Sequence, residues 1–345
     1  VGAFNDDNPY DQFIGEQIAG DEIDPGDPEM LIAVGFLRTG PWEHTAMSIE
    51  AETRQLFLDD VTNSVGETFM ALPLRCASCH DHKFDPIPTR DYYRIQAAFA
   101  TTQFASRAAP FLPVEQPRLS EDEKIRMEHW IATTQAEQEA LREKEEEAAR
   151  AWYRARGKRY LPRRDRMALP EGPRPPRYIG LDFQDLGYRK VLQKRMETLG
   201  REKDGFEPLA YSVYSGPDRF VHSSRPMRVP EALSGEAAAT FILTGGSVYA
   251  PADRVEPGVL SAVQTLALAN RPPEAIAPEL QGRRRALAHW LAQPDHPLVV
   301  RAIVNRVWQS HFGKGIAENS NNFGATGKKP SHPALLDWLS VYFVE

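Results

Sequence analysis

The two cysteines of the chain lie three positions apart, and a histidine follows the second one directly. The segment reads Arg75-Cys76-Ala77-Ser78-Cys79-His80, and the 345 residues include no further cysteine. The C-x-x-C-H spacing is typical of covalent haem attachment, because the two thiols reach the vinyl groups of one porphyrin while the next imidazole reaches the iron. The motif predicts one haem c, bound through Cys76 and Cys79, with His80 as the proximal iron ligand.

Three other uses of the two thiols stay open. A zinc site would need two further ligands, and His80 and His82 are closer together than the usual H-x₃₋₅-H pair. A thioredoxin-type dithiol would follow a strand, whereas a long helical pattern and Pro73 precede Cys76. The third alternative is a plain structural disulfide between Cys76 and Cys79.

Net charge and hydropathy argue against a nucleic-acid-binding protein and against a transmembrane protein. The 41 basic and 48 acidic residues give a net charge of -7, which offers no global electrostatic reason to bind nucleic acid or an anionic membrane. There is no stretch of about 18 apolar residues, so no transmembrane segment is predicted. The chain opens at Val1 without an initiator Met or a signal peptide, which indicates a piece of a longer precursor. Because haem of this type is attached outside the cytoplasm, the motif predicts a periplasmic or otherwise extracytoplasmic location.

Apolar residues at helical spacing predict a mainly α fold. Phe57, Val61, Val65 and Phe69 repeat every four residues, which predicts a long helix with one buried stripe just before the motif. Shorter helices are predicted from 8 to 18 and around 92–99. Helical segments after Arg283 carry a predicted core of Leu287, Trp290, Ile303, Val307, Trp308, Leu335, Leu336, Trp338 and Leu339.

The middle of the chain is rich in charge. Glu, Lys, Arg, Gln and Ala dominate from Ser120 to about Tyr153, where Ser120 and Glu123 resemble a capping box. A poor heptad pattern favours a projecting helical arm over a two-stranded coiled coil. A basic cluster and a Pro-rich linker follow, and then 209–214 and 240–244 predict the strands of a small β module.

These patterns predict three segments in chain order. Residues 1–117 form a helical c-type haem domain, and residues 118–178 form a charged helical arm with the Pro-rich linker. Residues 179–345 combine the small β module with a C-terminal helical domain.

The sixth iron ligand is expected on a separate segment, because His82 is too near His80 to reach the opposite face of the porphyrin. His44 and Met47, just before the long helix, are the leading candidates, although His44 could instead cap that helix and Met47 could fill the core. Other candidates are Met70, His222 and Met227. A Met would raise the potential, a second His would lower it, and an open position would permit binding of small molecules.

Other polar residues have simpler interpretations. Asp81 and Asp85 either orient the proximal imidazole or form an exposed salt-linked turn. Asn305, Arg306 and His311 are the group to mutate first if the protein shows enzyme activity. Packing or helix capping is the interpretation of His289, His296, His311 and His332.

Longer strings resemble two known families. Residues 8–13, 17–21, 35–38 and above all 76–88 with 91–93 resemble the planctomycete-type cytochrome c domain. Residues 255–258, 305–313, 322–324 and 330–333 resemble the planctomycete-specific C-terminal domain. The two resemblances cover about 1–105 and 208–345, and both families are of unknown function. They imply a large exported haem protein, often with another cytochrome c domain upstream. Where the β module usually shows an Arg-Gly-Asp-like turn, this chain has Thr244-Gly245-Gly246-Ser247.

Three functions are compatible with these residues. The first is electron transfer by an exported monohaem c-type cytochrome, which exchanges electrons with a redox partner protein or an upstream cytochrome c domain. The second is a haem-dependent oxidoreductase that acts on an extracytoplasmic substrate such as a carbohydrate, by analogy between families. The third is a scaffolding role that uses the helical arm. The sequence leaves open whether the chain is an enzyme.

Overall fold

The computed structural model describes residues 2–40, 42, 47–111, 121–170, 174–206, 208–218, 227–233, 235–263 and 276–345. The chain forms two compact units, one made of 1–110 with 209–345 and the other of 111–208. The boundaries at 117 and 178 stay a prediction, and in the structure the first and last parts of the chain share one core.

The fold is mainly α with short strands, as predicted. In chain order the described helices are α1 (Gly2–Asn5), α2 (Tyr10–Ile23), α3 (Pro28–Ala33), α4 (Glu50–Met70), α5 (Thr89–Phe99), α6 (Glu121–Arg154), α7 (Arg163–Met167), α8 (Phe183–Asp204), α9 (Arg283–Leu291), α10 (Val299–Phe312) and α11 (Pro333–Val344). The strands are β1 (Thr102–Ala108), β2 (Leu209–Ser215), β3 (Thr240–Leu243) and β4 (Pro251–Val255). Within the part of the chain that the structure describes, none of the helices is both long and apolar enough to cross a membrane.

Helix α4 carries the predicted buried stripe. Phe57, Val61, Val65 and Phe69 are between 1% and 3% exposed. The helix ends where Ala71 adopts a left-handed conformation with φ of 50°, and Pro73 prevents its continuation. The chain therefore turns sharply just before the C-x-x-C-H motif.

The strands form two separate antiparallel pairs. Strand β1 pairs with β2, and β3 pairs with β4. The sequence predicted one module from β2 and β3, but each of these strands has a different partner. Strand β1 was not predicted, because Ala, Ser and Arg make up much of it and these residues have weak strand propensity.

The core of the first unit draws on both ends of the chain. Ile14, Ile18 and Tyr92 share one hydrophobic cluster with Leu287 and Trp290. The predicted C-terminal core is wrong at two positions, since Val307 is 43% exposed and Trp338 is 60% exposed. The cluster at α10 and α11 consists of Val300, Val304, Ile316 and the predicted Leu336, and the predicted Trp308, Leu335 and Leu339 pack against it.

A buried ion pair joins α9 to α2. Arg284 Nη1 donates to Asp21 Oδ1 at 2.6 Å, and Nη2 donates to Asp21 Oδ2 at 2.8 Å. The same guanidinium donates to Ile18 O and Ser215 Oγ. Burial alone would lower the pKa of Arg284, but the carboxylates of Asp21 and Glu22 outweigh burial and raise this pKa above its usual value. One cation thus links three segments that are far apart in sequence.

The second unit is built on two antiparallel helices. Lys144 on α6 pairs with Asp185 on α8, and Glu137 pairs with Arg195 at 3.1 Å. The prediction of a long helix in this region is confirmed, and Ser120 lies outside the described residues. Its partner α8 was missed, because its apolar residues are interspersed with many charged ones and its buried residues are Leu192 and Leu199.

His296 caps α10, as its place before a proline predicted. Its Nδ1 accepts from the backbone N–H groups of Leu298 and Val299, both at 3.3 Å. The side chain is 3% exposed and packs on Trp290. Burial lowers the pKa of His296 to about 3, so the ring is neutral at physiological pH.

Replacing Arg284 with Met tests the buried ion pair. The change leaves Asp21 buried without its cation, so we expect the free energy of unfolding to fall by about 3–5 kcal/mol in urea denaturation. The matched control is Arg90→Met, which breaks an exposed pair with Asp253 and should cost less than about 1 kcal/mol. Equal losses in the two variants would contradict the role given to Arg284.

Because His296 is neutral in the folded protein, we predict that the free energy of unfolding depends on pH. In the unfolded chain this histidine takes up a proton near pH 6.5, whereas the folded pKa is about 3, so its contribution to stability is present above pH 6.5 and is lost as the pH falls. Between pH 8 and pH 5 we expect a loss of about 2 kcal/mol in the free energy of unfolding from this group. His296→Asn keeps an acceptor for the cap and does not titrate, so it should lose less stability over this range. A wild-type slope in that variant would refute the assignment.

Candidate functional site

The C-x-x-C-H motif begins in a single 3₁₀ turn, Arg75–Ser78, between α4 and α5. Leu74 and Ala77 are fully buried and fix the turn to the core, and the Ala77 amide donates to Leu74 O at 2.9 Å. Cys76 and Cys79 are both exposed. The turn thus anchors its backbone inside the protein and presents both thiols at the surface.

The two thiols are free. Cys76 and Cys79 do not form a disulfide, so the disulfide interpretation has no support in this structure. Among the described residues, no group of three or more His, Cys, Asp or Glu side chains is arranged to hold a metal ion. The described part of the chain therefore supplies no ligand set for the zinc interpretation.

The imidazole of His80 is held by a main-chain oxygen. Its Nδ1 lies 2.7 Å from the carbonyl oxygen of Asp81. Since a carbonyl oxygen can only accept, Nδ1 is the donor in this contact, and in the neutral ring Nε2 then has the lone pair. A neutral imidazole with this tautomer is the form that binds a metal through Nε2. The His80 side chain is exposed, so its free nitrogen is accessible.

The turn after the motif is organised by His82. Its side chain is 6% exposed, and its Nδ1 accepts from the amides of Asp85 at 2.9 Å and Phe84 at 3.4 Å. The His82 amide donates to Ile87 O at 2.9 Å. His82 is therefore a structural residue of the turn.

The side-chain carboxylates of Asp81 and Asp85 accept hydrogen bonds from residues other than His80. Asp81 Oδ1 accepts from the Thr89 amide at 2.8 Å, at the start of α5. Asp85 Oδ1 accepts from the Ala325 amide at 2.6 Å and fastens the C-terminal loop to the motif. The sequence suggested a carboxylate as the group that orients the proximal imidazole, but the structure assigns this contact to the main-chain carbonyl of Asp81.

Two residues that contact the motif, Tyr93 and Gly246, were not predicted from the sequence as site residues. Tyr93 on α5 is 1% exposed, and its hydroxyl donates to Ser78 O at 2.8 Å. Burial, with a smaller effect of Asp59, raises the pKa of Tyr93, so the hydroxyl stays a donor at physiological pH. Gly246 lies directly against Cys79. In the sequence, Tyr93 is noted only as part of the family resemblance at 91–93, with no contact to the motif predicted. Nothing in the sequence relates Gly246 to Cys79.

The two candidate methionines for the sixth iron ligand differ in exposure. Met47 is 92% exposed, just before α4 begins. Met70 is 1% exposed and belongs to the hydrophobic core. His44 and His222 lie outside the described residues. The assignment of His44 or Met47 as the distal ligand stays a prediction.

Asn305 and Arg306 have structural partners. Asn305 Nδ2 donates to Ala317 O at 3.0 Å, and its Oδ1 accepts from the Ala317 amide at 2.8 Å. Arg306 donates to the carbonyls of Glu67 and Thr68, in the last turn of α4, where a cation stabilises a helix. These contacts account for both residues without a catalytic role.

Comparison with known proteins finds two family matches. Residues 1–104 match the model of PSCyt2, described as a protein of unknown function (DUF1549), and residues 283–345 match PSD1, described in the same way (DUF1553). Neither the curated proteins nor the solved structures contain a match. Two parts of the chain are therefore similar to PSCyt2 and PSD1, two families of unknown function, in the order that the resemblance implied.

Proposed function

We propose that the chain binds one haem c through Cys76 and Cys79, with His80 as the proximal ligand, and that it transfers electrons. The observation that carries the proposal is the state of His80 beside two free thiols. Its Nδ1 is engaged by Asp81 O at 2.7 Å, and Nε2 is left for the iron.

The residues at the site fit such a group. Free, exposed thiols at this spacing are the nucleophiles that the attachment needs, and both are available. Leu74 and Ala77 hold the backbone of the turn in the core, so the attachment points are fixed relative to α4 and α5. When bound, the haem supplies a one-electron carrier whose potential depends on its axial ligands.

Electron transfer is favoured over catalysis by the position of the motif. Cys76, Cys79 and His80 are all exposed, and a surface position shortens the distance over which an electron must pass to a partner. Asn305 and Arg306, the residues considered for catalysis, have structural roles. The proposed partner is a redox protein or an upstream cytochrome c domain.

The proposed location is the periplasm or another extracytoplasmic compartment. The support is chemical, since thioether attachment of haem of this kind takes place outside the cytoplasm. The motif and its free thiols are therefore the basis for the location as well as for the cofactor.

The haem proposal is tested by exporting the chain in cells that attach haem c. We expect one haem per chain in the pyridine haemochrome assay, and this haem should survive denaturation and acid extraction. Cys76→Ala and Cys79→Ala should each keep one thioether and shift the haemochrome band, and the double variant should keep none. The control Ser78→Ala changes a residue between the thiols and should leave attachment intact. A wild-type chain without covalent haem would refute the proposal.

Whether the iron has a sixth ligand distinguishes electron transfer from a reaction of substrate at the iron. If His44 or Met47 is the sixth ligand, the reduced wild-type protein should bind little carbon monoxide, and either His44→Ala or Met47→Ala should bind it readily. The measurement is the carbon monoxide difference spectrum of the three proteins. Rapid binding by the wild type, together with a high-spin resting state, would contradict simple electron transfer.

A further inference from the structure

The turn between β3 and β4 lies against the second cysteine of the motif. Gly246 has a φ of 75°, and a Cβ built on it would lie 2.9 Å from Cys79 Sγ and 3.8 Å from Ser78 O. Non-bonded carbon and sulfur atoms do not approach to 2.9 Å, so a larger residue at 246 requires that Cys79 Sγ or the turn moves. Among the described glycines, Gly246 is the one whose Cβ would meet a cysteine.

The turn is held on the motif side by Tyr93. The Tyr93 hydroxyl donates to Ser78 O at 2.8 Å, and the backbone of Leu243, near the same oxygen, lowers the pKa of Tyr93 against the larger effect of burial. One buried hydroxyl thus connects the residue before Cys79 with the last residue of β3. The position of the turn relative to the thiol is therefore fixed by a direct contact.

The turn is also held on the α4 side. Tyr249 donates from its hydroxyl to Glu52 Oε1 at 2.7 Å. Within the turn, the Thr244 amide donates to Ala250 O at 2.9 Å, and the Ser247 amide donates to Thr244 O at 3.2 Å. These bonds keep the backbone of the turn in place between α4 and Cys79.

We propose that this turn, residues 244–250, positions the Cys79 thiol for covalent haem attachment, and that Gly246 is the positioning residue. The inference rests on the proposed haem binding and extends it to a hairpin that lies outside both family matches. In the attachment, the Cys79 S–H adds across a vinyl C=C bond of the haem. A C–S bond forms, the π bond is lost and the thiol proton passes to the other vinyl carbon, so no oxidant is needed. Because the Cα–Cβ bond alone sets the position of Sγ, a change of rotamer would move the thiol out of the position that it has beside Gly246.

The test compares Gly246→Ala with Gly245→Ala in the full exported chain. Both glycines have a positive φ, 75° and 61°, so both variants bear similar backbone strain, but no described atom lies within 4 Å of a Cβ at 245. Peptide mass spectrometry then measures the thioether at each cysteine separately. In Gly246→Ala we expect many chains to carry haem through Cys76 alone, because the displaced Cys79 rotamer reduces the thioether at Cys79 about threefold or more. In Gly245→Ala we expect thioethers at both cysteines.

Two results would overturn different claims. If the wild type has no covalent haem, the proposed function fails. If the wild type has both thioethers and Gly246→Ala is attached at Cys79 as completely as Gly245→Ala, the inference about the turn fails. Should the glycine variants not fold, Tyr93→Phe takes their place, since it removes the hydroxyl between Ser78 and Leu243 without added bulk. Complete attachment at Cys79 in Tyr93→Phe would equally reject the inference.

Discussion

The ion pair between Arg284 and Asp21 is the contact on which the arrangement of the first unit depends. Its atoms are almost inaccessible, with 0% of the Arg284 side chain and 2% of the Asp21 side chain exposed. A buried charge is tolerated only when it is paired and hydrogen-bonded, so α9 has to pack on α2 in one register. The PSCyt2 and PSD1 regions therefore form one core, although they match separate families.

This packing makes the C-terminal region part of the support for the C-x-x-C-H motif. Arg306 donates to the last carbonyls of α4 before the motif. After the motif, Asp85 accepts from the Ala325 amide, and the Phe323 amide donates to Ala71 O at 2.7 Å. The segments on both sides of the two thiols are thus held by residues of the segment that matches PSD1.

The sequence alone predicts the features that come from local pattern. The stripe on α4 follows from apolar residues at every fourth position, and the motif follows from spacing between neighbours. Strand β1 and helix α8 could not be predicted, because their apolar patterns are weak and their partners are distant in sequence. The contact of His80 with Asp81 O uses a main-chain atom that any residue would supply. The contact of Gly246 with Cys79 depends on the tertiary fold, so a glycine pair in a hairpin gives no sign of it.

The central claim is that Cys76 and Cys79 carry one haem. The most direct measurement is the intact mass of the exported chain under denaturing conditions, beside that of the variant with both cysteines replaced by alanine. The account predicts that the wild type is heavier than its polypeptide by one haem and that the variant has the mass of the polypeptide alone. A wild-type chain with the bare polypeptide mass, from cells that attach haem to a known c-type cytochrome, would contradict it.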